Sequence, residues 1–209
     1  MSVHLYSEEE ERQISVEIFA LTDEVRRGDF GGERLDEALV LAIHRRFMAC
    51  VRPEGAGRMR SAQWGVEYLE FGPNRSTHRK EVPAAMAALC ERARAELEAL
   101  SRHRTVARSV RFAAWVHAEI VRIHPFFDGN GRTSRFVMNI ILEALGVGCV
   151  AVEAVKREYN DALNAYFAAA RHGTSFDSPA LDALVRVMAE CFKIQAPQIG
   201  VGPPPEPED

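Results

Sequence analysis

The sequence predicts an all-α domain carrying one short β-hairpin, and three observations point there. Apolar residues recur at three- and four-residue spacing in seven separate segments. One segment only, 58–82, alternates instead, and it contains Gly-Pro-Asn. The 209 residues, 47% hydrophobic and 27% charged, are enough to bury one sizeable core.

Each element follows from its own residues. Ser7 is an N-cap candidate, and the acidic run behind it suits the positive end of a helix. Ile14, Ile18 and Leu21 form the apolar stripe, and Gly28 with Gly31 and Gly32 ends it. Residues 35–51 repeat the pattern through Leu35, Leu39, Ile43, Arg46 and Phe47. In 58–82, Val66, Tyr68 and Phe71 alternate ahead of the turn at 72–74, which predicts a hairpin, with a surface loop as the alternative. Segments 83–100, 106–123, 132–145, 156–170 and 181–192 are further amphipathic helices. The end, QAPQIGVGPPPEPED, lacks periodicity and reads as a flexible extension.

Composition excludes some classes. A formal net charge of −4 argues against a general nucleic-acid or membrane-surface binder. Cys50, Cys90, Cys149 and Cys191 are far apart, with no CxxC pair, and read as buried, reduced thiols. The opening MSVHLYSEEEERQ has no basic head or apolar run of a signal peptide. The expectation is a cytoplasmic protein, unless a specialised secretion system delivers it to a host cell.

The chemistry concentrates in IHPFFDGNGRTSR, residues 123–135. Pro125 disfavours helical geometry at His124, so a helix should end there. His124 then lies at a helix C-terminus, with a pKa expected near its usual value, as a general-base candidate. Gly129 and Gly131 let the amides of 128–132 curl into an anion nest at the start of the next helix. Arg132 and Arg135, three apart, share a face and can reach one polyphosphate. Asp128 is a hard carboxylate suited to Mg²⁺ that keeps its waters and binds substrate phosphates. A plain tight turn between two helices would not need all these groups together.

HPFFDGNGRTSR resembles the Fic family signature, HPF-x-[DE]-GN-[GK]-R-x-x-R, at every specified position. The order of elements over roughly 35–167 also resembles that family, including a G-x-x-R stretch (Gly57 to Arg60) ahead of the hairpin. The resemblance implies an all-α Fic domain at 35–193, with an N-terminal helical extension at 1–34 and a tail at 194–209. Within it, a flap at 58–82 would hold a protein target by strand addition, and the catalytic loop would be 124–135. It also implies Mg²⁺-dependent transfer of AMP from ATP to a Ser, Thr or Tyr hydroxyl. His124 would take the proton, Asp128 would hold Mg²⁺, and Gly129, Asn130 and Gly131 would line the anion hole, Asn130 also through its side-chain amide. Arg132 and Arg135 would bind the β and γ phosphates.

Several points stay open on the resemblance. Gly131, where a Lys marks the phosphorylating Doc-type branch, favours nucleotidyl transfer. UMP or phosphocholine transfer, and a non-catalytic binding module, are the alternatives. Tyr159, Asn160 and Leu163 are candidates for a base pocket, or else ordinary helix surface. Ser7–Glu11 and Thr77–Glu81 each match only part of the family's inhibitory [ST]-x-x-x-E-[GN] helix. An inhibitory Glu would therefore come from a small antitoxin, from a degenerate helix, or from nowhere, and Arg135 would be its partner.

Overall fold

The computed structural model describes residues 6–30 and 34–195. Residues 31–33 and 196–209 lie outside it, and with them the Gly pair at 31–32 and nearly all of the expected extension. The described residues form seven α-helices and one two-stranded antiparallel hairpin. None of these helices is long and apolar enough to cross a membrane.

Helix α1, Glu8–Arg26, starts with a full capping box: Ser7 Oγ accepts from Glu10 N–H, and the Glu10 carboxylate accepts from Ser7 N–H. It lies across α2, Glu37–Met48, and across α5, Asn130–Ala144. Asp36 caps α2. The buried polar residue on α2 is His44; Arg46, included in the apolar stripe, is exposed and paired with Glu17 and Glu24.

The hairpin is shorter than the alternation suggests. Strand β1 is Glu70–Phe71 and β2 is Asn74–Arg75, joined across Gly72 and Pro73. The arms continue only through single bonds, Ser76 N–H to Leu69 O and Arg79 N–H to Glu67 O. A two-stranded ribbon this small needs something to pack on. Asn74 Nδ2 donates to Asn164 Oδ1 at 2.8 Å, and Phe71 meets Phe167 edge-on, so the tip is docked on helix α6, Lys156–Ala169.

Helix α4, Val106–Ile123, is the axis of the fold. It packs against α3 (Val82–Arg102), α5, α6 and α7 (Asp182–Gln195), and from Ser109 onward all of its residues but Arg111 and Arg122 are buried. A helix buried on most sides, its buried His117 and Glu119 taken up by Tyr159 and by Tyr166 and Arg122, belongs at the centre of a bundle. The fold therefore places the C-terminus of α4 and the N-terminus of α5, its closest neighbour, end to end across the 124–129 loop. The four thiols are free, and Cys50, against expectation, is exposed just past α2.

Candidate active site

The loop is built by its own side chains. Asn130 Oδ1 accepts from Phe126 N–H and Asn130 Nδ2 donates to Phe126 O, both at 2.8 Å. Helix α5 consequently begins at Asn130, two residues earlier than the spacing predicts. That clasp fixes the side chain of Asn130 on the backbone of Phe126, so its main-chain N–H is the donor it presents at the start of α5. Gly129 has φ +76° and caps the helix; a Cβ there would sit 3.0 Å from Phe47 and 3.3 Å from His44. Glycine is required twice over, for conformation and for space. Thr133 N–H is the first to close back onto Gly129 O, which leaves the amides of 130–132 without intrahelical partners.

His44 supports the loop from below. Its Nδ1 accepts from Gly57 N–H at 2.9 Å, so Nε2 carries the proton and donates to Asp128 O at 3.0 Å. Its ring stacks on Phe126, centroids 3.7 Å apart.

His124 is the only described non-glycine residue with positive φ, at 56°. Its Nδ1 contacts Val121 O at 3.2 Å. A carbonyl only accepts, so Nδ1 holds the proton and Nε2 keeps a free lone pair. Phe71 of β1 stacks on the ring, centroids 4.4 Å apart and 7° from parallel. Burial pushes the His124 pKa down to about 4; the Val121 contact opposes this and the nearby Arg60 charge adds to it. This lies below the near-neutral value expected from a helix end, because desolvation by burial works against the dipole.

His124, Asp128, Gly129, Asn130, Gly131, Arg132 and Arg135 all line one cavity of about 270 Å³, with the exposed Phe127 at its mouth. Arg132 lies 3.5 Å from Asp128 Oδ1 and donates to the Tyr6 hydroxyl at 3.0 Å. That hydroxyl in turn donates to Asp128 Oδ2. Arg135 packs over Gly131, where a Cβ would come within 3.3 Å of its Nη1. Among the described residues no carboxylate pairs with it.

Asp128 stands alone: no group of three or more His, Cys, Asp or Glu gathers anywhere among the described residues. One carboxylate beside an anion nest fits a magnesium ion, which takes few protein ligands and completes its shell with phosphates and water.

The base-pocket trio divides between core and surface. Tyr159 and Leu163 are buried and Asn160 is exposed; the Tyr159 hydroxyl lies 2.6 Å from Nε2 of the fully buried His117. Ser7 is occupied as a helix cap, and Thr77 lies in the root of the flap.

Residues 34–142, just over half the chain, match the Fic/DOC family. This chain belongs to the Fic/DOC family. Among curated Fic relatives, protein adenylyltransferase Fic of Drosophila persimilis is 35% identical over 118 residues, 56% of this chain and 21% of that protein. The Nematostella vectensis protein of the same name is 34% identical over 154 residues, 73% of this chain and 31% of the relative. The chain thus spans under a third of the curated relatives it matches. Solved Fic structures share the fold: Fic-1 (aa134–508) from C. elegans has a TM-score of 0.64 at 20% identity, over 95% of this chain and 53% of that one. The N-terminal FIC domain of Bep8 from Bartonella sp. 1-1C has a TM-score of 0.67 at 16% identity, over 90% and 87%.

Three histidines of this Fic domain, two at the loop and His117 within α4, carry a stability consequence. Burial lowers the pKa of His44 to about 4 and of His117 to about 3, alongside about 4 for His124. Between pH 6.5 and 4 the unfolded chain binds protons that the folded chain refuses, so stability falls as pH drops through that window. Each histidine should contribute on the order of 3 kcal/mol to the loss at pH 4. Urea melts at pH 7.5, 6, 5 and 4 should show most of the decline below pH 6. A flat profile down to pH 4 would contradict the burial of these rings.

Proposed function

We propose that this Fic chain is a protein adenylyltransferase that moves AMP from ATP to a Ser, Thr or Tyr hydroxyl of a protein target. The observation that supports this most is the unprotonated Nε2 of His124 in the same cavity as the α5 amide nest and two arginines. The target hydroxyl gives its proton to Nε2. Its oxygen bonds to the α-phosphorus, the bond from that phosphorus to the β-bridging oxygen breaks, and pyrophosphate departs. The nest and Arg132 stabilise charge where it develops, and Arg135 holds the outer phosphate. Asp128 is the residue that would hold Mg²⁺, whose chemistry when bound is to neutralise phosphate charge. The relatives named protein adenylyltransferase Fic support the choice of adenylyl transfer. So does Gly131, since a side chain there would press on Arg135.

Target protein would enter along the flap, its backbone pairing with the hairpin edge beside Phe71. A small antitoxin is one source of an inhibitory carboxylate for Arg135, which lacks one among the described residues. Incubating the protein with Mg²⁺, cell lysate and labelled ATP, UTP or CDP-choline in parallel tests the reading. Hydroxyl-linked label from ATP alone is expected; label from either of the others would redirect it.

Tyr6 occupies ground that Mg·ATP needs, since its hydroxyl engages both Asp128 and Arg132. Tyr6→Phe should tighten Mg·ATP binding by about three- to tenfold, the worth of one charge-assisted hydrogen bond no longer displaced. Calorimetric titration of both proteins measures this. Unchanged or weaker binding would mean that Tyr6 does not compete.

A further inference from the structure

Arg60 is fully buried and has no acidic partner; all of its described hydrogen bonds go to main-chain carbonyls. A guanidinium out of water without a carboxylate is costly, so its hydrogen bonds must be complete. They divide into two sets. Toward the catalytic loop, Nε and Nη2 donate to His124 O at 3.0 and 2.7 Å, and Nη2 reaches Ile123 O at 3.3 Å. Toward the flap, Nη2 donates to Thr77 O at 3.0 Å, and Nη1 reaches Val66 O and Glu67 O at 3.4 Å. The Arg60 main chain adds a third tie, N–H to Pro125 O at 2.8 Å.

The carbonyl it grips hardest belongs to His124, the residue in the left-handed region. That conformation is unfavourable for a side-chain-bearing residue and persists only where the surroundings enforce it. The enforcement at this point comes from Arg60, above and beyond the α4 C-terminus. We propose that Arg60 is a positioning residue for transfer: it fixes the backbone of His124, and through the same guanidinium sets the register between flap and catalytic loop. The inference rests on the adenylyl-transfer reading for its kinetic consequence and not for its structural one. A planar fork suits this task and an ammonium does not, because the fork holds Nε, Nη1 and Nη2 in one fixed geometry that reaches both sets of carbonyls at once. The phosphate subsite hangs on other supports, His44 and the Asn130 clasp, so it should survive the loss of Arg60.

The test uses Arg60→Lys in the full chain, with Gly65→Ala as a second variant. Gly65, at φ +85°, packs on the Arg60 stem; a methyl there would lie 3.0 Å from Cγ and strain the local backbone too, so it disturbs the seat of the guanidinium without removing it. Three quantities are read: transfer of α-labelled ATP to lysate protein, the Kd for Mg·ATP, and the ¹⁵N imidazole signals of His124, assigned against His124→Ala. Transfer should fall on the order of 10–100-fold, as for a misplaced reacting group, with Kd within about threefold. The ¹⁵N pattern of one fixed tautomer, protonated at Nδ1, should give way to averaged signals. Added to His124→Ala, Arg60→Lys should cost nothing further, because the two act as a unit. Transfer and affinity falling together would overturn the inference, since that is a general loss of structure. So would unchanged His124 signals. If the wild type transfers nothing, the adenylyl-transfer reading fails, while the imidazole signals still decide whether Arg60 holds His124.

Discussion

His124→Ala should lower transfer by ~10²–10⁴ while leaving Mg·ATP binding within about threefold of wild type. The separation follows from where the imidazole stands. It caps α4, bonded to Val121 O and covered by Phe71, whereas the phosphate donors begin at the N-terminus of α5. Removing the ring deletes a proton acceptor and no phosphate contact. The pH profile carries a second signature. With a pKa pushed to about 4, His124 stays in its base form throughout the neutral range, so the rate should be flat from pH 8 to 6 with respect to this group. It should fall only as pH approaches 4, where acid unfolding also begins. An apparent pKa near 6.5 in the rate would mean that the ring is more solvated during turnover than at rest, with the flap lifted away.

Arg132→Ala should weaken Mg·ATP by about 10–100-fold, the range expected for charge-assisted bonds to phosphate. The loss has two sources. The guanidinium itself disappears, and Asp128, 3.5 Å away, loses the positive charge that offsets its own repulsion of the nucleotide. Arg132→Lys should recover part of the affinity, because it restores the charge and not the fork. Titration calorimetry at fixed Mg²⁺ separates these three proteins. Equal affinity in wild type and Arg132→Ala would remove Arg132 from the phosphate site.

The residues of 124–135 are legible in the sequence because a single turn carries them all, so local spacing alone brings them to one cavity. The helices are legible for the same reason, since their period is local. What the sequence does not display is everything that approaches the loop from elsewhere. Tyr6 meets Asp128 across 122 residues and His44 meets the Asp128 carbonyl across 84. Arg60 shows in the sequence only as the end of the G-x-x-R stretch ahead of the hairpin; its burial does not show, since its partners are main-chain carbonyls that leave no trace in side-chain identity. A trace did exist for His44, at the buried position between Ile43 and Phe47 on α2, but a polar residue inside an apolar stripe has several explanations. The hairpin shows the opposite failure. Alternation at Val66, Tyr68 and Phe71 suggests long arms, yet beyond the two-residue strands the arms meet only through single bonds, and the Val66 carbonyl faces the Arg60 guanidinium instead of a partner strand. The depressed pKa of His124 likewise depends on burial of the ring, which tertiary packing supplies.

Supplying the protein with Mg²⁺, lysate and ATP labelled at either the α or the γ phosphate tests the central claim most directly. Above the label found with lysate alone, nucleotidyl transfer with pyrophosphate as leaving group requires added label on protein hydroxyls from α-labelled ATP, no added label from γ-labelled ATP, and none from either with His124→Ala. Label arriving from the γ position would show phosphorylation with the nucleotide reversed. Label from the α position that survives His124→Ala would show that another group takes the proton, and either result would contradict the mechanism.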